Sequence, residues 1–255
     1  TIRLRYLVRA AAVRSANDAA TAIGEAIAGS EAAFARRMNR TATALGMTRT
    51  TFRNAHGLTA EGHLSTARDM TTMGRRIFYD YPQYYNIFSR RSTDAGIATV
   101  RNTNRAFLDA YRGADGIKTG YTRAAGFNLV ASAERGQERI IATVFGGQST
   151  AWRNQRMMEL LDMGFARAPS RAPVRAPDLP VYTEDPNEPA SQGLASRTLR
   201  PSGAVRASLV PVLRPRSEPE PDALVASVEG EIAAPDPEAI VESVAIALAE
   251  DLIAQ

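Results

Sequence analysis

Apolar residues recur every three to four positions over roughly the first eighty residues, a spacing that is typical of amphipathic helices. The pattern predicts four helices: residues 3–13, residues 18–28 ended by Gly29, a helix from the N-cap Ser30 to Gly46, and residues 65–81 with Ser65 as N-cap. The side chains predicted to face inward include Leu4, Leu7, Val8, Met70, Met73 and Ile77.

Later in the chain the pattern changes to short runs rich in apolar and β-branched residues. Residues 128–134 and 139–146 flank the turn Arg-Gly-Gln-Glu and predict a β-hairpin, with a third strand in the segment just before it, around Lys118. An amphipathic helix follows over residues 151–167. Its predicted buried side is formed by Trp152, Met157, Leu160, Leu161 and Phe165. Helices followed by adjacent antiparallel strands and a closing helix predict an α/β (α+β) fold in which helices cover an antiparallel sheet.

The composition changes near residue 168. Residues 169–237 are dense in Pro, Ser and charge, which predicts a Pro-rich disordered linker, so the folded domain is expected to be residues 1–168. Residues 238–255 could form an amphipathic helix. Because its polar side is acidic, anionic lipid headgroups would repel it, and we do not assign it as a membrane anchor; membrane association stays open.

Composition and charge exclude several classes of function. The chain has 44% hydrophobic and 23% charged residues, as soluble globular proteins do. It contains no cysteine and only two histidines, so we expect neither a disulfide nor a metal site. The formal charge is +4, but the arginines are scattered and form no basic groove, so we expect no nucleic-acid partner.

Two short motifs could carry chemistry. Ser15-Ala16-Asn17 matches S-x-N, and Lys118-Thr119-Gly120 matches K-T-G. Each motif alone is weak, since Ser and Asn before a helix are usually caps and a lysine beside a glycine usually faces solvent. Together with S-x-x-K, however, the pair is the signature of serine penicillin-recognising enzymes. Lys118 is also the only lysine among 31 basic Lys and Arg residues.

Residues 1 to about 168 resemble the serine D-alanyl-D-alanine carboxypeptidases, the low-molecular-weight penicillin-binding proteins. The similar stretches include "SANDAATAIGEAIAGSEAAFARRMN", "LSTARDM" and "DGIKTGYTRAAGFNLVASAERGQERIIATVFGG", in the family's order. The resemblance implies a serine β-lactamase-like fold, incomplete at the N-terminus. It also implies removal of the terminal D-Ala from peptidoglycan stem peptides through an acyl-serine intermediate, without a metal or organic cofactor. Inhibition by β-lactams and a periplasmic or cell-envelope location are implied as well.

The resemblance assigns roles to individual residues. Ser15 would relay a proton to the leaving amine, Asn17 would hydrogen-bond the bound peptide, and Lys118 would supply charge and handle protons. A lysine suits this last role better than an arginine because its pKa can be tuned, whereas a guanidinium stays protonated.

Four further residues would bind the substrate. Thr119 would donate to its carboxylate, Gly120 would leave room for the peptide along the strand edge, and the backbone N–H of Tyr121 would form half of the oxyanion hole. Arg153 would help to hold the carboxylate; the alternative is an exposed arginine at the start of a helix.

The family's nucleophile is the serine of S-x-x-K, well upstream of S-x-N. A chain with one lysine in K-T-G cannot contain that motif. We therefore expect this chain to be a fragment that is inactive alone. Two alternatives remain open: a non-catalytic peptidoglycan-binding or scaffold relative, and a β-lactamase-type enzyme or endopeptidase of the same fold.

Overall fold

The computed structural model describes residues 2–169 and 175–182 of the 255-residue chain. The helices in these ranges are α1 (Leu4–Arg9), α2 (Asn17–Ala28), α3 (Glu31–Ala44), α4 (Ala67–Asp80), α5 (Pro82–Tyr85), α6 (Arg105–Ala110) and α7 (Thr150–Arg167). The strands are β1 (Ser92–Asp94), β2 (Thr99–Arg101), β3 (Ala114–Thr122), β4 (Gly126–Arg135) and β5 (Glu138–Gly147). The predicted combination of helices and an antiparallel sheet is confirmed.

The larger sheet has the order β3-β4-β5, with both pairs antiparallel. The β4–β5 hairpin is the predicted one, extended at both ends, and β3 is the strand expected around Lys118. A second, two-stranded sheet pairs β1 with β2 and was not predicted, because its strands have only three residues each.

Helices cover both faces of the larger sheet. On one face, Leu129 and Ala131 of β4 pack with Met157 and Leu161 of α7, and all four side chains are fully buried. On the other face, Gly74 brings α4 close to the sheet, since a Cβ atom there would lie 3.0 Å from Ile117 Cδ1. Successive side chains of a strand point to opposite faces of its sheet, so a sheet covered on both faces buries neighbouring residues of the same strand.

Three details of the sequence prediction are wrong. The N-cap of α4 is Thr66 rather than Ser65, since Thr66 Oγ1 accepts a hydrogen bond of 3.1 Å from the Asp69 amide. Leu4 and Val8, both predicted to face inward, are 61% and 40% exposed, since no side chain of α1 is buried. Trp152 is 43% exposed because it lies in the first turn of α7, where its ring packs against Gly147 at the end of β5 instead of entering the core.

Most of the predicted linker and all of residues 238–255 lie outside the described residues, so these two predictions and the boundary at 168 stay predictions. Residues 175–182 are described and form no regular element. They lie along α4, where Arg75 donates to the Arg175 carbonyl and Arg76 to the Asp178 carbonyl, each at 2.5 Å. Within the described ranges, no helix combines the length and the apolar character needed to cross a membrane.

Candidate active site

The first side chain of the site is held by an irregular turn. The predicted helix over residues 3–13 is α1 followed by a π-helical turn, Ala10–Arg14, a feature that is frequent at functional sites. Ser15 ends this turn with φ +65°, and no other non-glycine residue in the described part of the chain has a positive φ. A left-handed serine costs conformational energy, and such residues cluster at functional sites.

Lys118 reaches this serine from the middle of β3. Its Nζ donates to Ser15 Oγ and, at 2.7 Å, to the carbonyl of Thr119. Burial, and secondarily the nearby positive charge of Arg153, lowers the pKa of Lys118 to about 8. At neutral pH the group is therefore charged but close to its titration range.

Arg153 is buried near the start of α7, with 4% of its surface exposed, so the alternative of an exposed arginine does not apply. Its Nη2 donates to Asn154 Oδ1 at 2.8 Å, and its Nη1 lies 3.4 Å from the carbonyl of Asn128. Burial lowers the pKa of the guanidinium. A desolvated cation of this kind attracts an anion more strongly than one in water does.

Thr103 lies between the two motifs and was not predicted as a site residue. Its Oγ1 is 2.9 Å from Thr119 Oγ1 and 3.4 Å from Ser15 Oγ. The loop that carries it is fixed by Asn102, whose Nδ2 donates to the Arg90 carbonyl at 2.7 Å. The sequence shows only an Asn-Thr-Asn stretch at residues 102–104. Nothing in the neighbouring residues indicates that Thr103 lies beside Ser15, which is 88 positions earlier in the chain.

These side chains line one cleft of about 820 Å³. All seven residues singled out from the sequence contribute to its wall: Ser15, Asn17, Lys118, Thr119, Gly120, Tyr121 and Arg153. Residues not predicted for the site are also there: His56, Thr103, Phe127 and Thr150. Among the described residues, no aspartate or glutamate lines this cleft, and its walls carry two cations. The cleft is therefore suited to an anionic ligand.

The mouth of the cleft is partly aromatic. Tyr121 is 58% exposed and lies against Phe127, with 4.4 Å between the ring centroids. Asn17 is exposed at the first residue of α2. On a further wall, His56 Nε2 lies 3.5 Å from Glu31 Oε1, and Glu31 is behind the histidine rather than in the cleft.

The described residues contain no group of three or more His, Cys, Asp or Glu side chains that could hold a metal ion. What the cleft offers instead is two cations, a line of hydroxyl groups and a strand whose outer side is not paired within the described sheet. Such a set can hold a carboxylate and move a proton.

Comparison with known proteins gives a consistent result. The sequence profile of the D-alanyl-D-alanine carboxypeptidase family matches residues 1–149. D-alanyl-D-alanine carboxypeptidase DacF of Bacillus subtilis is 40% identical over 169 residues, which cover 64% of this chain and 43% of that protein. DacA of Escherichia coli is 42% identical over 165 residues, which cover 64% of this chain and 41% of that protein. The chain thus spans less than half of the length of these curated relatives.

Two solved structures have a fold similar to that of this chain. The D-alanyl-D-alanine carboxypeptidase DacD from Francisella tularensis superposes with a TM-score of 0.61 at 29% identity, covering 65% of this chain and 52% of that one. A penicillin-binding protein from Listeria monocytogenes in its ampicillin-bound form has a TM-score of 0.61 at 33% identity, covering 64% and 68%. The fold class that the resemblance implied is therefore confirmed.

Proposed function

The chain belongs to the D-alanyl-D-alanine carboxypeptidase family, and on that premise we propose that it carries the substrate-binding and proton-relay part of a serine-type D-Ala-D-Ala carboxypeptidase. The reaction is removal of the terminal D-Ala from peptidoglycan stem peptides in the periplasm or cell envelope, through an acyl-serine intermediate. The observation that carries this proposal is the gathering of both motifs and Arg153 in one cationic cleft.

The substrate ends in a carboxylate, and the cleft has the groups to bind it. Lys118 and Arg153 supply positive charge, and Thr119 supplies a hydroxyl donor beside them. Because both cations are largely removed from water, their hydrogen bonds to a carboxylate are stronger than surface ones.

The peptide backbone lies along β3. β3 is an edge strand of the described sheet, so an extended peptide can pair with its outer side. The face above Gly120 is also open, since a Cβ atom there would meet no atom nearer than 3.9 Å. Asn17 binds the peptide from the α2 side, and the backbone N–H of Tyr121 stabilises the oxyanion.

Ser15 and Lys118 move the proton. A lysine with a pKa of about 8 can both give and accept a proton near neutral pH, which is what general acid–base catalysis requires. Through its hydrogen bond to Lys118, Ser15 passes a proton to the amine of the departing D-Ala.

The nucleophile is not in these 255 residues, because an S-x-x-K motif needs a second lysine. We therefore expect no hydrolysis by this chain alone. β-Lactams are expected to inhibit the complete enzyme, in line with the ampicillin-bound and cefotaxime-bound forms of the Listeria monocytogenes protein.

The test is acylation by a fluorescent penicillin. Two proteins are compared: the 255-residue chain, and a version extended ahead of Thr1 by a segment that carries the S-x-x-K motif expected from the family resemblance. Only the extended protein should be labelled, and Lys118→Ala should abolish the labelling. Arg156→Ala is the matched control, since Arg156 lies on α7 in an exposed pair with Glu159 and not in the cleft.

Other outcomes would redirect the assignment. Labelling of the unextended chain would make Ser15, paired with Lys118, the nucleophile and overturn its role as a relay. A folded extended protein that binds stem peptide but is never labelled would leave the second candidate function, a non-catalytic peptidoglycan-binding protein, which the single lysine favours. A β-lactamase is not favoured, because no carboxylate of the described residues lines the cleft to deacylate the enzyme.

A further inference from the structure

Four polar groups follow one another across the cleft. Lys118 Nζ contacts Ser15 Oγ, Ser15 Oγ lies 3.4 Å from Thr103 Oγ1, and Thr103 Oγ1 lies 2.9 Å from Thr119 Oγ1. The middle step is longer than an ordinary hydrogen bond between hydroxyls, as is common for catalytic contacts before a substrate binds. Thr103 therefore adds a second side-chain connection between the S-x-N and K-T-G motifs, beside the direct contact of Lys118 with Ser15.

The charge on the first member of this row favours one direction of hydrogen bonding along it. A charged lysine can only donate, so Ser15 Oγ accepts from Lys118 and its own hydrogen is free to point to Thr103. With Ser15 donating to it, Thr103 can donate to Thr119, and the hydroxyl hydrogen of Thr119 then points into the cleft. If Lys118 loses its proton, the row can reverse, and Thr119 then donates to Thr103 instead.

We propose that Thr103 is a positioning residue: its hydroxyl holds the hydroxyl hydrogen of Thr119 toward the cleft while Lys118 is charged, so that carboxylate binding and the protonation of Lys118 are linked. The inference rests on the proposed function, in which Thr119 donates to the carboxylate of a peptide ending in D-Ala-D-Ala.

The position of Thr103 is fixed independently of any ligand. Its backbone N–H donates to the carbonyl of Val13 at 3.1 Å, and Val13 is fully buried in the turn that ends at Ser15. On either side of it, Asn102 is 7% and Asn104 2% exposed, and the backbone N–H of Asn104 donates to Asn102 Oδ1 at 2.7 Å. The loop is thus anchored by buried groups while the Thr103 hydroxyl is presented to the cleft.

Other charged and titratable groups face Lys118 or line the same cleft. Arg153 approaches from α7, His56 comes from the loop before α4, and Tyr121 follows on β3. The charge on Lys118 itself also favours a carboxylate. The pH dependence of binding alone would therefore not identify the contribution of Thr103, and the test must compare variants.

The single lysine makes this comparison direct. In the full chain labelled with ¹³C at lysine Cε, one NMR signal reports the pKa of Lys118, and the same samples give the Kd for N-acetyl-D-Ala-D-Ala between about pH 6 and pH 10. Thr103→Val removes the hydroxyl at constant shape, and Thr103→Ser retains it. Thr43→Val is the matched control, since Thr43 is exposed on α3 and its hydroxyl donates to the Asn39 carbonyl of the same helix.

We expect Thr103→Val to lower the pKa of Lys118 by about 0.3 to 1 and to raise the Kd about 3- to 10-fold below the pKa, the size of one neutral hydrogen bond. The difference in Kd should vanish at about pH 10, where Lys118 is neutral, and Thr103→Ser should behave like the wild type. Unchanged pKa and Kd in Thr103→Val would overturn the inference, whatever the penicillin experiment gives. A shifted pKa with no binding of the dipeptide by the wild type would support the link through Thr103 and count against the proposed substrate.

Discussion

Arg139 on β5 and Asp115 on β3 form an ion pair of 2.5 Å that spans the strand between them. On that middle strand, Ser132 donates to the other carboxylate oxygen of Asp115 and lies 2.7 Å from the hydroxyl of Tyr85. All three strands of the sheet are therefore tied together three residues before Lys118, so this network helps to fix the strand that presents the lysine.

Replacing one partner of this pair should destabilise the protein. We expect Arg139→Met to lower the free energy of unfolding by about 2 to 4 kcal/mol, because the largely buried carboxylate of Asp115 loses its cation. Arg156→Met removes an exposed pair with Glu159 and should cost less than about 1 kcal/mol. Urea unfolding of both variants measures the difference, and equal losses would show that the network does not stabilise the sheet.

The predictable part of this structure lies in its local patterns. The β4–β5 hairpin follows from two apolar runs around a glycine turn, and Lys118 stands out because it is the only lysine. Amphipathic spacing also located α2, α3 and α7 to within a residue or two. These features depend on residues that are close together in the sequence, so a local pattern is enough to predict them.

The parts that could not be predicted depend on long-range contacts. Thr103 becomes a site residue only because the buried loop around it meets Ser15 and Thr119 from distant parts of the chain. Likewise, the π-helical turn before Ser15 looks like ordinary helix in the sequence. The exposure of Trp152 depends on the position of the end of β5, which the helical periodicity of α7 does not indicate.

The charge of Arg153 should be measurable at Lys118. Because a nearby positive charge disfavours the charged lysine, we expect Arg153→Met to raise the pKa of Lys118 above about 8, although burial, the larger cause, keeps it below 10.5. The single lysine NMR signal measures this directly. Arg156→Met, which changes an arginine on the same helix outside the cleft, should leave the pKa where it is; an equal shift in both variants would contradict the assignment.

Stability should depend on pH through the same lysine. With a pKa of about 8 in the folded state and 10.5 when exposed, Lys118 binds fewer protons folded than unfolded between these values. Its contribution to the free energy of unfolding therefore rises with pH in that window, by about 1 to 3 kcal/mol from pH 8 to pH 10.

Lys118→Met isolates this effect. The stability of the wild type relative to the variant should increase from about pH 8 to pH 10 and be constant below about pH 7. Tyr85 and Tyr111 have pKa values raised to about 12, so they act in the opposite sense above pH 10, but equally in both proteins. A difference that stays flat across the window would mean that Lys118 is not desolvated.

Two glycines with positive φ should respond very differently to alanine. Gly113 has φ +87°, and a Cβ atom there would lie 2.2 Å from the backbone oxygen of Glu134, whereas Gly136 has φ +63° and nothing within 4 Å. Gly136→Ala should cost only the strain of a left-handed alanine, about 1 to 2 kcal/mol.

Gly113→Ala should cost more than about 3 kcal/mol, because the added carbon adds a clash to the same strain. The clash is with β4 itself, at the point where the Glu134 amide donates to the Gly113 carbonyl and β3 begins, so the chain cannot relieve it by turning a side chain. Since β3 presents Lys118, we also expect its pKa to move back toward 10.5 in Gly113→Ala and to stay near 8 in Gly136→Ala. Urea unfolding and the lysine NMR signal measure the two effects, and similar values for both variants would contradict the close approach of β3 and β4 at Gly113.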